Sequence, residues 1–223
     1  MIISSANARA DVNISIEGET LDRVREIKYL GVIIDDKLTL NSHIDNVIKK
    51  VAKKYGIMCR LKNEITVTSK NFHISPHIDF CSSILFLANS TQILRWQRLQ
   101  NRIMRLISRC NRYTSSNFML DALQWLSVKQ RVYFLTMVFI YKILQGLLPW
   151  YLCDRIEGGT DVHNYNTRNA ENARTPNFLF SRLQNSLLYK GLNFYNSMPK
   201  EIRRAATINQ FKTICITHVK SVF

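Results

Sequence analysis

Two neighbouring aspartates, Asp35 and Asp36, are the first candidates for catalysis, because they follow an apolar, β-branched run. Paired carboxylates can hold the two divalent ions, about 4 Å apart, that assist phosphoryl transfer. Neighbouring residues on a strand point to opposite faces, so the pair needs a further carboxylate from another strand. Asp11, nearer the N-terminus, lies in a different sequence context. We therefore interpret the pair as a polar turn that closes a strand.

A second group of reactive side chains lies at His77, Asp79 and Cys81, which alternate along the chain. On one face of a strand they could form a thiol–imidazole–carboxylate set. No sequence feature supplies an oxyanion hole for such a set. A helix that begins after Pro76 explains the same residues more simply, and we favour that interpretation.

The cysteines predict neither a disulfide framework nor a metal site. They are five in number and scattered through the chain, which is typical of reduced, mostly buried thiols in an intracellular protein. Cys215 and His218 are three residues apart, but the second ligand pair that a zinc site needs does not accompany them. No phosphate-binding or dinucleotide-binding glycine loop occurs. The sequence therefore predicts no bound metal or cofactor.

Arginines recur at alternating intervals of three and four residues in one stretch, at Arg95, Arg98, Arg102, Arg105, Arg109 and Arg112. On a helix this spacing places all six on one stripe about 100° wide. The stretch from Thr91 to Arg112 contains no Asp or Glu, so the stripe repels itself and an external polyanion would relieve that repulsion. The alternative is a solvated surface whose acidic partners come from another helix. We expect contact with nucleic acid.

The composition agrees with a folded, basic protein. The chain has 223 residues, 46% of them hydrophobic, and its 31 Lys and Arg against 16 Asp and Glu give a formal charge of +15. This excess favours a polyanionic partner. The apolar run Val132–Tyr141 is too short to span a bilayer, and the N-terminus does not have the pattern of a secretory signal. We expect an intracellular protein, nuclear or cytoplasmic, without a membrane partner.

The first part of the chain predicts a small β unit followed by a helix. Val12, Ile14 and Ile16 alternate with polar residues up to Gly18, and a second run, 31–34, is rich in β-branched residues. Beyond it, Asn41 or Ser42 can cap an amphipathic helix. Its apolar positions follow the helical spacing and are Ile44, Val47, Ile48, Val51, Ala52, Tyr55 and Met58.

The second part of the chain predicts further helices. Ser127 and Gln130 fit a capping box that starts a strongly apolar helix, which ends near Gly146. The stretch 154–176 is rich in Asn, Gly and Thr and predicts a long exposed loop. Pro199 can open a short helix, and Asn209 can cap the last one. The fold class is therefore mainly α with a small N-terminal β unit.

A series of short motifs covers nearly the whole chain in a specific order. They are KYLGVIID from Lys28, Leu38–Thr39 with Ser42–Ile44, PHIDFC from Pro76, LQNRIMRLI from Leu99, LDALQWLSVKQR from Leu120, HNYNTRNA from His163 and FYNSMPKEIR from Phe194. Together they resemble the C-terminal part of reverse transcriptases, the RNA-directed DNA polymerases, from LINE-type, jockey-like non-LTR retrotransposons. Leu40 stands where this family often has tryptophan.

The resemblance implies a division of the chain and a set of nucleic-acid contacts. Residues 1–40 would be the end of a polymerase palm, residues 41–112 thumb-like basic helices, and residues 113–223 a helical extension. The YLGV stretch would belong to the primer grip, which follows the catalytic aspartate box and is distinct from it. Contacts to the RNA or DNA of a template-primer duplex would come from Tyr29, Leu30, Gly31, Lys49, Lys53 and the six arginines.

The resemblance also implies that catalysis lies elsewhere. The fingers, the first metal-binding aspartate and the catalytic pair, which bind Mg²⁺ in the parent family, would all precede Met1. The missing palm is then a possible partner, and we expect the isolated chain to lack polymerase activity. Two alternatives stay open. One is a stand-alone helical module that binds nucleic acid or serves as a scaffold, and the other is an enzyme of another class.

Overall fold

A computed structural model describes residues 14–61, 76, 79–80, 82–86, 88–154, 156, 172–176 and 186–223. The chain divides into two compact units. The first comprises Met1–His77 with Ala88–Asn111, and the second comprises Ile78–Leu87 with Arg112–Phe223. No helix among the described residues is both long and apolar enough to cross a bilayer.

The described elements are four short strands and a larger set of helices. The strands are β1 (Ser15–Ile16), β2 (Glu19–Thr20), β3 (Glu26–Tyr29) and β4 (Val32–Asp35). The helices are α1 (Asn41–Arg60), α2 (Ser82–Leu85), α3 (Ser90–Ser108), α4 (Ser116–Ala122), α5 (Val128–Leu144), α6 (Trp150–Cys153), a π-helix (Leu187–Gly191), α7 (Leu192–Ser197), α8 (Lys200–Arg203) and α9 (Ile208–Val222). The mainly helical fold with a small N-terminal β unit is confirmed.

The β unit of the first compact unit consists of two antiparallel hairpins, β1–β2 and β3–β4. The Lys28–Asp35 stretch is therefore not one strand, because the chain turns back at Leu30 and Gly31. Both residues have positive φ, 46° and 87°, which is the requirement of a type I′ turn. β3 is exposed, whereas Val32 of β4 is buried. Of the alternating residues Val12, Ile14 and Ile16, Val12 lies outside the described residues, and the other two are exposed, at 48% and 58%, so the alternation does not mark a buried face.

Helix α1 begins where a carboxylate, and no residue of the helix itself, supplies the cap. The predicted caps, Asn41 and Ser42, are wrong, because Asn41 is already helical and the residue before it, Leu40, makes no side-chain capping bond. Instead, Asp35 accepts hydrogen bonds from the backbone N–H groups of Thr39 (3.0 Å) and Leu40 (2.8 Å). The predicted apolar stripe is buried at Ile44, Val47, Val51 and Met58.

His43 connects α1 to the second hairpin. Its imidazole is buried, and its Nδ1 accepts a hydrogen bond from the backbone N–H of Ile33 in β4 (3.3 Å). Burial, together with the positive charge of Lys50, lowers the pKa of His43. The neutral imidazole is therefore the favoured form in the folded protein, as an acceptor role for Nδ1 requires.

The core of the second compact unit lies between α5 and α9. Tyr141 and Phe211 stack with ring centroids 4.2 Å apart, and the Tyr141 hydroxyl donates a buried hydrogen bond to the Ala205 carbonyl (2.8 Å). Cys215 is buried in the same core, and burial raises the pKa of its thiol to about 12. This cysteine is therefore a core residue, and its thiol stays protonated at neutral pH.

Close packing at Gly191 joins the π-helix to α5. A Cβ placed on Gly191 would lie 2.8 Å from Cδ1 of Ile140, which is closer than real Cβ atoms approach a neighbour. Glycine therefore leaves room for the Ile140 side chain of α5 to pack against the π-helix. The chain then continues into α7, which contributes Leu192 and Tyr195 to the core.

The helix ends of the second unit follow the predictions in part. Ser127 and Gln130 form the predicted capping box at the start of α5, and Gly146 follows that helix with φ 65°. Pro199 directly precedes α8, as predicted. Asn209 is wrong as the last cap, because Thr207 accepts the hydrogen bond from the N–H of Gln210 and α9 begins at Ile208.

Candidate nucleic-acid interface

Helices α1 and α3 of the first unit lie side by side and run in the same direction. Near their N-termini, the Gln92 side chain donates to Asn41, and Arg95 forms an ion pair with Asp45 at 2.6 Å. Further along, the guanidinium of Arg102 lies near Tyr55. Because the contacts advance in the same order along both helices, the two helices are parallel.

The stripe predicted from Arg95 to Arg112 is helical over only part of its length. Arg95, Arg98 and Arg102 are exposed on α3, and Arg105 is half-buried. Helix α3 ends at Ser108, and the next residue, Arg109, is exposed with a left-handed φ of 51°.

Arg112 therefore does not continue the helical stripe, and its prediction as part of one continuous face is wrong. It is exposed and belongs to the second compact unit, whereas Arg109 still belongs to the first. Neither glycine nor asparagine occupies the position of Arg109, where one of them commonly signals a helix end. The regular spacing of the arginines thus continued past the real end of the helix.

The buried side of α3 explains why its arginines stay at the surface. Leu99, Ile103 and Ile107 are buried on the side away from the arginines, and Trp96 and Met104 are buried with them. Asn89 caps the helix by accepting a hydrogen bond from the N–H of Gln92 (2.9 Å). The apolar face therefore fixes the rotation of α3 and directs the arginines outward.

Two lysines of α1 add exposed positive charges to the first compact unit. Lys49 and Lys53 lie four and eight residues after Asp45 and are both exposed. Residues four apart are neighbours on a helix surface, so these three side chains form one row. Asp45, the first residue of this row, contacts Arg95 of α3. We call the six residues Lys49, Lys53, Arg95, Arg98, Arg102 and Arg105 the cationic face.

Carboxylates are scarce around the cationic face. Arg95 has an acidic partner from another helix, so the alternative interpretation of the stripe holds for this one arginine. Among the residues that the structure describes, no carboxylate lies within ion-pairing distance of Arg98, Arg102, Arg105 or Arg109. The arrangement can therefore bind an extended anion along α3 beyond Arg95.

The tip of the β3–β4 hairpin places two large side chains in solvent. Tyr29 is 62% exposed and Leu30 is 82% exposed, although both are apolar in large part. A leucine with left-handed φ is strained by about 1–2 kcal/mol relative to ordinary backbone. The hairpin packs on α1 through β4, so the predicted residues Tyr29, Leu30 and Gly31 belong to the same compact unit as the cationic face.

Asp35 does not fit the role of a metal ligand, because both of its oxygens are already engaged. Its Oδ1 accepts from the N–H of Leu40, and its Oδ2 accepts from the N–H and the hydroxyl of Thr39. Burial alone would raise the pKa of Asp35, but these hydrogen bonds outweigh it and hold the pKa below the usual value. The carboxylate is thus engaged in ending β4 and starting α1.

The remaining candidates also have structural roles where the structure describes them. Asp79 accepts two hydrogen bonds from Arg131 of α5, at 2.6 and 2.7 Å, which joins two of the family-like motifs within the second unit. His77 and Cys81, the other members of that candidate set, lie outside the described residues. Within the described part of the chain, no three His, Cys, Asp or Glu side chains cluster as a metal site would require.

Sequence reasoning missed the roles of Asp45 and Asp35. Asp45 is the only acidic residue of α1, and its place one and two turns before Lys49 and Lys53 was the available signal. Its partner on α3 is 50 residues away in sequence, so only the packing of the helices reveals the contact. For Asp35, the available signal was its position shortly before the start of α1 at Asn41.

One comparison with known proteins found a partial similarity. No protein-family model and no solved structure matches the chain. A protein of Drosophila melanogaster described as "Probable RNA-directed DNA polymerase from transposon X-element" is 31% identical to it. The match covers 43% of this chain and 11% of that protein, so the chain spans a small part of its relative. This similarity supports a relation between the chain and the RNA-directed DNA polymerases of retrotransposons.

Proposed function

We propose that this chain is the thumb-like C-terminal part of a non-LTR, LINE-type reverse transcriptase and holds a template-primer duplex by its phosphates. The observation that carries the proposal is the cationic face, in which two parallel helices of one compact unit present exposed basic side chains. Phosphate contacts position a protein on a duplex but carry no sequence information directly. Binding should therefore depend strongly on salt and weakly on sequence.

The β3–β4 hairpin supports a second part of the same proposal. Its tip, Tyr29–Gly31, would contact the duplex next to the phosphates held by α1. Exposed apolar residues elsewhere in the two hairpins, such as Ile16 and Ile27, would be covered by a polymerase palm. In this proposal the palm is a separate partner that supplies the Mg²⁺-binding carboxylates.

The test of phosphate binding is a series of salt titrations with a labelled DNA duplex. Three exposed arginines of the predicted stripe, none of which has a described carboxylate partner, are changed together, as Arg98→Gln, Arg102→Gln and Arg109→Gln. Each lost phosphate contact should reduce the slope of log affinity against log salt by about 0.9, so the triple variant should lose about 2.7. Affinity should fall for all duplex sequences alike.

A matched control separates local contacts from net charge. Lys200→Gln, Lys212→Gln and Lys220→Gln remove the same number of positive charges from the second unit. This variant should keep most of the wild-type salt slope. Equal losses in both triple variants would show that binding depends on total charge only. An unchanged slope in the arginine variant would contradict the proposal.

Primer extension tests whether the chain needs a separate catalytic palm. The isolated protein should not extend a primer with Mg²⁺ or Mn²⁺, because Asp35 is engaged in capping α1. Asp35→Asn with Asp36→Asn should leave duplex binding intact. Extension by the wild-type chain that disappears in this double variant would identify the pair as catalytic and refute our interpretation.

The second candidate function is a stand-alone basic module. It is favoured by the division into two compact units, each of which carries an excess of basic residues. From the sequence, the first unit has 17 Lys and Arg and 9 Asp and Glu, and the second has 14 and 7. These net charges of +8 and +7 add up to the +15 of the chain. Tight duplex binding that a purified palm does not change would favour this candidate.

A further inference from the structure

Asp45 is the single negative charge on the helix pair that forms the cationic face. Helix α1 contains five Lys and Arg and α3 contains four, whereas Asp45 is the only acidic residue in either helix. An acid among nine basic residues has a marked influence on which of them can bind an anion. The position of Asp45 therefore decides which basic residues remain available to an anion.

The geometry commits Asp45 to one arginine. Its Oδ1 lies 2.6 Å from Nη1 of Arg95, and both side chains are about half-exposed, at 42% and 47%. Arg95 is also the first arginine of α3, followed by Arg98 and Arg102 further from the N-terminus. The ion pair thus sits at one end of the cationic face.

An exposed ion pair of this kind does little to hold two helices together. Solvent and salt screen its attraction, and ordering two long side chains opposes it. The buried residues of each helix fix the packing instead, among them Ile44 and Val51 of α1 and Ile103 of α3. The main effect of the pair is electrostatic, because it neutralises a guanidinium that would otherwise be available to a phosphate.

We infer that Asp45 is an internal counter-ion that withdraws Arg95 from phosphate binding and so sets where the bound backbone ends on the cationic face. The inference rests on the proposed function and assigns to Asp45 the extent of the contact with the duplex. Phosphates would then bind from Arg98 towards Arg109. The N-terminal end of the helix pair would stay outside the contact.

The experiment is a charge cycle at these two positions, with the same labelled DNA duplex. Asp45→Asn should free Arg95 for one more phosphate and raise the salt slope by about 0.9, which makes the loss of affinity between 50 and 200 mM salt about threefold larger. Asp45→Asn with Arg95→Gln restores the net charge, and its salt slope should equal that of the wild type. Helix content by circular dichroism should be the same in all proteins.

Glu17→Gln is the matched control, because Glu17 lies in the β1–β2 turn, outside both helices. It raises the net charge by the same amount as Asp45→Asn and should change the slope much less. The double variant also guards against a folding effect of Asp45→Asn alone. If Arg95 already contacts a phosphate in the wild type, the double variant should lose about 0.9 of the slope.

Two outcomes would overturn the inference while leaving the proposed function in place. One is a lower slope in the double variant, and the other is no increase in Asp45→Asn beyond that of Glu17→Gln. In both cases the triple arginine variant would still show a salt slope that is lower than that of the wild type. Failure of the proposed function is distinct, since the triple arginine variant would then bind like the wild type.

Discussion

The basic side chains of two helix pairs differ in their partners. The pairs are α1 with α3 and α5 with α9. In the second unit, Arg131 of α5 makes two hydrogen bonds to Asp79, and Nζ of Lys129 lies 4.2 Å from the centroid of the Phe223 ring. In the first unit, Arg98 and Arg102 are exposed without a described carboxylate partner. The number of basic residues on a helix therefore says less about function than whether the fold supplies partners for them.

The two pairs also differ in what holds them together. Helices α5 and α9 share a continuous apolar core with stacked aromatic rings, whereas α1 and α3 are joined in part by polar contacts at their N-terminal ends. This difference predicts that substitutions in the second unit act on stability and that substitutions on the cationic face act on binding. Six substitutions, in four experiments, follow from these contacts.

The largest expected effect is that of Phe211→Ala. Phe211 is fully buried and stacks on Tyr141, so its truncation leaves a cavity and should lower the free energy of unfolding by about 3–5 kcal/mol. Hydrogen exchange of backbone amides in α5 and α9 measures this loss locally. A change below about 1 kcal/mol would show that the core of the second unit is less tightly packed than the structure indicates.

A pair of glycine substitutions compares the two units directly. Gly191→Ala should lower stability by about 1–3 kcal/mol, because the new methyl group meets Ile140. Gly56→Ala in α1 is the matched control, since no atom lies within 4 Å of its Cβ position, and it should raise stability by up to about 1 kcal/mol. Thermal unfolding of both variants measures whether each substitution raises or lowers stability. The same sign for both would contradict the packing described for the π-helix.

Asp35→Ala should lower the stability of the first unit by about 1–2 kcal/mol, because it removes the cap of α1. The folded state holds the pKa of Asp35 below its usual value of 3.8. The contribution of this carboxylate is therefore present above the unfolded pKa and is lost as pH falls through the lower folded pKa. Hydrogen exchange in α1 near neutral pH and at acid pH should show a difference between the two proteins that shrinks on acidification.

The smallest effect on stability, about 1 kcal/mol, is expected for Arg131→Gln, because its ion pair is about one-third exposed. This variant sharpens the comparison, since an arginine engaged by Asp79 should leave the salt slope of duplex binding unchanged. Arg98→Gln, which removes the same charge from the cationic face, should reduce that slope by about 0.9. Equal slopes for the two variants would contradict the claim that Arg98 binds phosphate and that Arg131, paired with Asp79, does not.

Local patterns predicted the local structure well. The spacing of apolar residues gave the buried faces of α1 and α3, and Ser127 with Gln130 gave the start of α5, because these signals lie within a few residues of each other. The exposed arginines Arg98 and Arg102 were also predicted. The role of this surface in binding stays a prediction, as does the division of the chain into palm, thumb and extension.

The features that the sequence did not reveal depend on the chain turning back on itself. The contact of Asp45 with Arg95 exists only because α1 and α3 lie side by side. The cap of α1 comes from Asp35, outside the helix, because the turn before Asn41 brings the carboxylate to Leu40. The end of α3 carries no glycine signal, since Arg109 itself adopts the left-handed conformation.

The two links between β4 and α1 have a mechanical consequence. Asp35 at the end of β4 accepts from the backbone of Leu40, the residue before α1, and His43 of α1 accepts from Ile33 of β4, so hydrogen bonds at two points join the strand to the start of the helix. We expect a displacement of the hairpin tip at Leu30, for example by a bound partner, to be transmitted to α1 and so to Lys49 and Lys53. Acid would weaken both connections. Protonation of His43 removes the acceptor for the N–H of Ile33, and protonation of Asp35 weakens its hydrogen bond from the N–H of Leu40.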